Sequence, residues 1–232
     1  MKEVNSYGWK AVIGSSIGYA MDGFDLLILG FMLSLISGDL GLTTGQAGSL
    51  VTWTLVGAVI GGFIFGTLSD KFGRVRVLTW TIVLFAVFTG LCAFAQGYWD
   101  LLIYRTIAGI GLGGEFGIGM ALAAEAWPAQ HRAKATSYVA IGWQLGVLAA
   151  ALLTPVLLPY IGWRGMFMVG IIPAFVAWFF RAKLHEPEIF VQSKEIKEHS
   201  HTNSFKLLVK DVRTTKTSIG VAILTSVQNF GY

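Results

Sequence analysis

Four ionisable side chains lie inside stretches otherwise oily enough to cross a lipid bilayer. Asp22 and Asp25 sit three residues apart in GYAMDGFDLLILG, residues 18–30, and Arg105 and Glu115 sit ten apart in RTIAGIGLGGEFGIG, residues 105–119. A carboxylate at the centre of a membrane helix costs about 3 kcal/mol by insertion measurements, so such groups pair with one another, face a cavity or mark an ion path. The chemistry that fits them is the handling of protons and anions. A carboxylate facing a cavity is neutral when dry and ionised when wet or beside a guanidinium, and an arginine grips a carboxylate through two parallel hydrogen bonds.

Depth indicates which of the four can meet. Counted from Lys10 as the inner boundary, Asp22 lies about 18 Å and Asp25 about 22 Å into the membrane at the helical rise. Counted from Asp100 as the outer boundary, Arg105 lies about 7 Å in and Glu115 about 22 Å in. In a hydrocarbon core ~30 Å thick, Asp25 and Arg105 share the outer third and can pair if their helices are neighbours. Asp22 lies nearer the midplane and Glu115 deeper toward the inner face, so the four groups are strung along one path. If Asp25 pairs with Arg105, protonating Asp25 would release the arginine and couple proton uptake to anion binding. Asp22 would set the charge of the pair or share its proton, and neighbouring carboxylates of this kind titrate as a unit.

The elements that carry these groups follow from composition. The 232 residues are 54% hydrophobic and only 13% charged, about half the charge of an ordinary soluble domain; mean hydropathy is +0.65. Six stretches are long and apolar enough to span a bilayer: 11–35, 46–68, 77–97, 101–125, 136–159 and 165–181. A seventh apolar segment opens near Ser218 and is cut short at Tyr232, so residues 218–232 read as the start of a further span and the chain as a fragment or half of a larger protein. Residues 182–217 form a polar, mixed-charge linker. The single cysteine, Cys92, excludes an internal disulfide framework, and the apolar run after MKEVNSYGWK, long enough to span and without an A-x-A-like site, is not expected to be a cleavable signal sequence.

Fifteen of the 17 lysines and arginines fall at the N-terminus, in the loops after the second and fourth spans, and in the linker with Arg181 just before it. The other two are Arg164 and the intramembrane Arg105. The positive-inside rule therefore places the N-terminus and the linker in the cytoplasm. The basic pI near 9.2 is thus a matter of topology, and no nucleic-acid partner is expected. FGRVRVL (72–78) and IGWRGMF (161–167) each follow the second span of a three-span group, one facing in and one facing out, as in an inverted repeat.

The inner loop GTLSDKFGRVR, residues 66–76, carries the most specific motif. It resembles the loop between the second and third helices of the major facilitator superfamily, G-x-L-A-D-[RK]-x-G-R-[KR]. Gly66, Leu68, Asp70, Lys71, Gly73 and Arg74 match it; Val75 departs from it, with Arg76 basic one position later. The fourth span reads Arg105, a glycine-rich run, Glu115 and Glu125, followed by Pro128 and Arg132, which is similar to the same superfamily. Within it, GGEFG and EAWPAQHRAKATS resemble metabolite:proton symporters of the sialate and lactate type, and DGFD resembles organic-acid:proton symporters including the aromatic-acid branch. HEPEIF (185–190) loosely resembles an element of the sugar porters through Glu186 and Pro187 alone.

This resemblance implies an all-α membrane protein: a six-helix bundle of two inverted three-helix repeats over residues 1–181. It would be the N-terminal half of a twelve-helix cell-membrane transporter, completed by a six-helix C-terminal half. It implies proton-coupled symport of a small organic acid anion, with a sugar porter, an aromatic-acid porter or a uniporter as alternatives. Asp22, Asp25 and Arg105 would couple protons; Arg105, Glu115 and Gln144 would bind substrate. Gln144 serves equally as an interhelical hydrogen-bonding group, and Trp143 and Phe116 line the pocket or face core or lipid. Gly66, Asp70, Gly73, Arg74, Arg76, Glu125 and Arg132 would form a cytoplasmic gate. The expected partners are the organic anion, protons, membrane lipids and the missing half.

Other chemistries find little support. Gly109, Gly111 and Gly114 formally satisfy G-x-G-x-x-G, but that fingerprint needs a strand–turn–helix setting and this run lies within a span. Glycines recurring every four residues, as at Gly109, Gly113 and Gly117 or Gly57 and Gly61, give a smooth face for close helix packing instead. No nucleophile–base constellation, phosphate loop or metal-ligand set is evident, so no enzyme activity, cofactor or metal is expected; His199 and His201 lie in the polar linker.

Overall fold

The computed structural model describes residues 6–181, with Glu186, Thr215, Lys216 and Gly220. The elements are α1 (Ser6–Leu40), α2 (Thr44–Phe72), α3 (Arg74–Cys92), α4 (Tyr98–Glu125), one 3-10 turn (Ala129–His131) and α5 (Arg132–Arg181). Five helical segments are long and apolar enough to cross a membrane. The chain divides into two compact units, Met1–Glu188 and Ile189–Tyr232; all of these helices belong to the first. The linker and the seventh apolar segment fall almost wholly outside the described residues.

α1 and α2 overrun the apolar stretches that announce them, whereas α3 stops at Cys92, short of the expected end at residue 97. α1 was expected over 11–35 and runs from Ser6 to Leu40, because helical geometry continues through polar flanks that hydropathy does not count. The expected loop 66–76 shrinks to one residue. Gly73 ends α2 and starts α3 with φ 109° and ψ 154°, a conformation for which glycine has no Cβ penalty. Thr43 begins α2 with a capping box: its hydroxyl accepts from the Gln46 N–H, and the Gln46 side chain accepts from the Thr43 N–H.

The spans expected at 136–159 and 165–181 form one element, α5, broken at Gly162 (φ 64°, ψ 179°). Unbroken, its 50 residues would reach about 75 Å, far more than a bilayer core. Its neighbours show that it doubles back. Gly142 meets the Ser16 carbonyl and Gly146 the Ala20 carbonyl; Trp163 then bonds Asp39 at the far end of α1. After the break, Gly170 lies against Ile28 and Ala174 clusters with Met21. The two arms, 132–161 and 163–181, therefore run up and down α1.

Close backbone approach organises the other main interface. Gly57 and Gly61 of α2 abut the carbonyls of Thr106 and Ile110, while Gly109 and Gly113 of α4 abut those of Thr54 and Ala58. Where lipid tails are as apolar as leucine, tight packing of small residues holds helices together. The bundle is oily outside as well as inside: Val59, Phe63, Leu152 and Phe175 are all exposed. A clamp ties the break at Gly162 to α1. Arg164 donates to Asp39 at 2.6 Å and stacks on Trp163, 4.1 Å from the ring centre, while the Trp163 indole N–H donates to the same carboxylate.

Candidate functional site: a buried ion pair and a capped basic end

The structure brings together two of the four ionisable groups singled out in the sequence, Asp25 and Arg105. Arg105 on α4 donates from both terminal nitrogens to Asp25 on α1, 3.0 Å to Oδ1 and 2.7 Å to Oδ2. Neither residue reaches solvent: Arg105 is 0% exposed and Asp25 1%. The surroundings are apolar, with Phe24, Ile28, Leu29, Leu101 and Phe167 in one core cluster. The Phe167 ring centre stands 5.7 Å from the guanidinium carbon, within cation–π range. Removing either partner of such a pair leaves an uncompensated buried charge.

Asp22, one turn before Asp25, is also buried. Glu115 is buried against α3, where the Thr81 hydroxyl lies 3.0 Å from its Oε2. Gln144 is exposed on α5, next to the half-buried Trp143. Trp143 and Phe116 are brought together by a third ring absent from the sequence reading, Tyr19. Its ring centre lies 4.9 Å from Phe116 and 5.2 Å from Trp143.

At the basic end, Arg74 is the hub. It donates to Asp70 at 2.7 Å within its own helix–turn–helix and to Glu125 at the end of α4 at 3.1 Å. Glu125 and Asp70 thus meet Arg74 as the motif implied. Arg76 and Arg132 have exposed side chains and make no ion pair among the described residues. Gly66 has nothing within 4 Å of where a Cβ would stand, so close approach does not explain that glycine.

The residue whose role the sequence did not reveal is Glu186. Its carboxylate accepts from three successive backbone N–H groups at the start of α3: Arg74 at 2.7 Å, Val75 at 3.3 Å and Arg76 at 3.1 Å. Those are orphan donors of a helix N-terminus, where the backbone dipole also favours negative charge. A Cβ on Gly73 would collide with this carboxylate, which gives that glycine a second reason besides its positive φ. Nearby, the Trp127 indole N–H donates to the Gly8 carbonyl at 3.0 Å and its ring packs edge-on against Trp9, fixing the start of α1 to the end of α4.

Comparisons with known proteins agree with this arrangement. Residues 15–232 match the Major Facilitator Superfamily. A Haemophilus influenzae protein provisionally named a metabolite transport protein is 76% identical over 99% of this chain and 58% of its own length. The Escherichia coli sialic acid transporter NanX is 33% identical over 83% of this chain and 48% of its own. The Acinetobacter baylyi cis,cis-muconate transport protein is 32% identical over 99% of this chain and 57% of its own. This chain thus spans about half the length of the curated relatives it matches. Among solved structures, a partially occluded inward-open form of the E. coli xylose transporter XylE superposes with a TM-score of 0.74 at 24% identity, covering 84% of this chain and 52% of that one; at that identity the likeness speaks for the fold alone. With several membrane-spanning helices, and a match over nearly all its length, this multi-pass membrane chain belongs to the Major Facilitator Superfamily.

Proposed function

We propose that this chain is the N-terminal half of a proton-coupled symporter that moves a small organic acid anion across the cell membrane by alternating access. The two arms of α5 count as separate spans in this reading, giving a six-helix bundle of two inverted three-helix repeats. A second six-helix half closes the cavity and rocks against the first. The N-terminus and the linker after residue 181 face the cytoplasm, following the charge asymmetry of the loops.

The observation that carries the reading is the buried bidentate pair of Asp25 and Arg105. A proton arriving at Asp25 cancels its charge and frees the guanidinium to take a substrate carboxylate in the same two-pronged geometry. Leaving Arg105 unpaired in this apolar cluster is strongly unfavourable, so the protonated state favours loading of an anion. That thermodynamic link couples proton and substrate. Asp22 tunes or shares the proton, and Glu115 and Gln144 are the further polar groups assigned to substrate. At the inner face Asp70, Arg74, Glu125 and Glu186 hold the gate closed; Gly66, Gly73, Arg76 and Arg132 complete the loop around it.

Several curated relatives carry names for organic acid transport: sialic acid, cis,cis-muconate and benzoate. They support an acid over a sugar as cargo. The test is addition of such acids to lightly buffered cells expressing the full-length protein. Alkalinisation of the medium that follows substrate addition and collapses with an uncoupler is expected. Substrate entry with no proton movement would show a uniporter instead.

A further inference from the structure

We propose that Cys92 is a positioning residue for the Asp25–Arg105 pair: its sulfur steadies the guanidinium while Asp25 carries a proton and no anion has yet arrived. The inference rests on the proton-coupled organic-acid reading above and concerns the state between proton uptake and substrate loading.

Cys92 closes α3 and is 0% exposed. It belongs to the same apolar cluster as Phe24, Ile28, Leu101 and Phe167, the residues that surround the ion pair. Its thiol donates to the Phe88 carbonyl one turn back, at 3.2 Å. With its hydrogen committed, the sulfur has only lone pairs to offer, and it is a weak acceptor. The Arg105 guanidinium is its hydrogen-bonding neighbour, and the guanidinium has a donor left. The two terminal nitrogens go to Asp25, while Nε is buried and bonds no oxygen or nitrogen among the described residues. The turn after Cys92 is itself held in place. Ala95 is buried, and its carbonyl accepts from Arg164 at 3.4 Å. The sulfur therefore keeps its place whether or not Asp25 holds the arginine.

A neutral acceptor suits this position. A second carboxylate here would keep Arg105 neutralised after Asp25 is protonated and would compete with the incoming anion. The sulfur competes little, yet it leaves the buried guanidinium with a partner. The contact contributes least when Arg105 is paired with a carboxylate, whether that of Asp25 or of the substrate. It contributes most when Asp25 is neutral and the site is empty. The other titratable groups near the pair are Asp22 on α1, Tyr98, Tyr104 and Glu115 on α4, and the Arg164–Asp39 clamp at the outer end. α2 has no charged residue before Asp70, α3 none between Arg76 and Cys92, and α5 only Arg164 between Lys134 and Arg181. Replacing Cys92 alone leaves all of these groups in place.

The experiment measures benzoate affinity calorimetrically in the full-length protein, from about pH 5 to about pH 9, where the ligand stays a carboxylate. The variants are Cys92→Ala, Cys92→Val and Cys92→Ser; valine fills the volume without an acceptor, and serine keeps an acceptor. In the alanine and valine variants the pH of half-maximal affinity is expected to fall by about half a unit. Their affinity at low pH should rise about threefold, with affinity at high pH unchanged. That pattern is what linkage requires when only the protonated, empty state loses a stabilising contact. The serine variant should keep the unsubstituted midpoint. A midpoint restored by valine and not by serine would assign the effect to packing and overturn the inference. Equal midpoints in all four proteins overturn it as well, while the organic-acid reading stands. Benzoate affinity that does not fall with rising pH in the unsubstituted protein, or binding of no organic acid, removes that reading and this inference with it.

Discussion

Arg105→Gln is expected to destabilise the full-length protein by about 3–5 kcal/mol, the range for removing one partner of a buried ion pair. The reason is geometric. Asp25 and Arg105 are 1% and 0% exposed, so no water can take over the two hydrogen bonds that the guanidinium supplies. The carboxylate is then left charged in an apolar cluster or forced to hold a proton. Adding Asp25→Asn to Arg105→Gln removes that stranded charge and is expected to recover most of the loss. Unfolding midpoints in detergent for the two single variants and the double variant form a cycle. Additive losses would show that the two side chains do not act as a pair.

Gly73→Ala is expected to have the next largest effect, at the opposite end of the bundle. Its φ of 109° lies outside what a side chain readily tolerates; for comparison, the left-handed conformation costs a non-glycine residue about 1–2 kcal/mol. The added methyl also meets the Glu186 carboxylate and pushes it off the three N–H groups it caps. The second contribution depends on Glu186 being present. Gly73→Ala should therefore lower stability less in a Glu186→Ala background than in the unsubstituted protein. Glu186→Gln, which keeps an acceptor but loses the charge, should cost only about 0.3–1 kcal/mol. Thermal unfolding of the four proteins measures this. An equal cost of Gly73→Ala in both backgrounds would mean that Glu186 does not cap α3.

The parts that were legible in the sequence share a physical origin. Spans announce themselves through unbroken apolar composition, and Asp25 and Arg105 could be matched because helical rise converts residue counts into depth. The resemblance gave Asp70, Arg74, Glu125 and Arg132 as a cluster; the first three meet, and Arg132 makes no ion pair among the described residues. Helix ends were not legible, because α1 and α2 continue past the apolar stretch into polar sequence that hydropathy scores as loop. The single-residue joint at Gly73 was hidden for the same reason. At Gly162 the two spans on either side were visible, but composition did not show that the chain reverses between them through a single non-helical residue. Glu186 lies 112 residues from Arg74 in sequence, and nothing local tells a helix-capping glutamate from the other acids of a polar linker. Tyr19 was missed because an aromatic in an apolar run carries no mark of which neighbours it will meet.

The central claim is that one proton at Asp25 links substrate to the proton gradient. The measurement that tests it most directly compares two assays in proteoliposomes holding the full-length protein or its Asp25→Asn variant. One is benzoate accumulation driven by an imposed pH gradient; the other is exchange of labelled for unlabelled benzoate at equal concentration on both sides, with no gradient. The variant is expected to lose accumulation against a concentration difference while retaining exchange, since Arg105 remains to bind the anion. Uphill accumulation undiminished in the Asp25→Asn protein would contradict the claim.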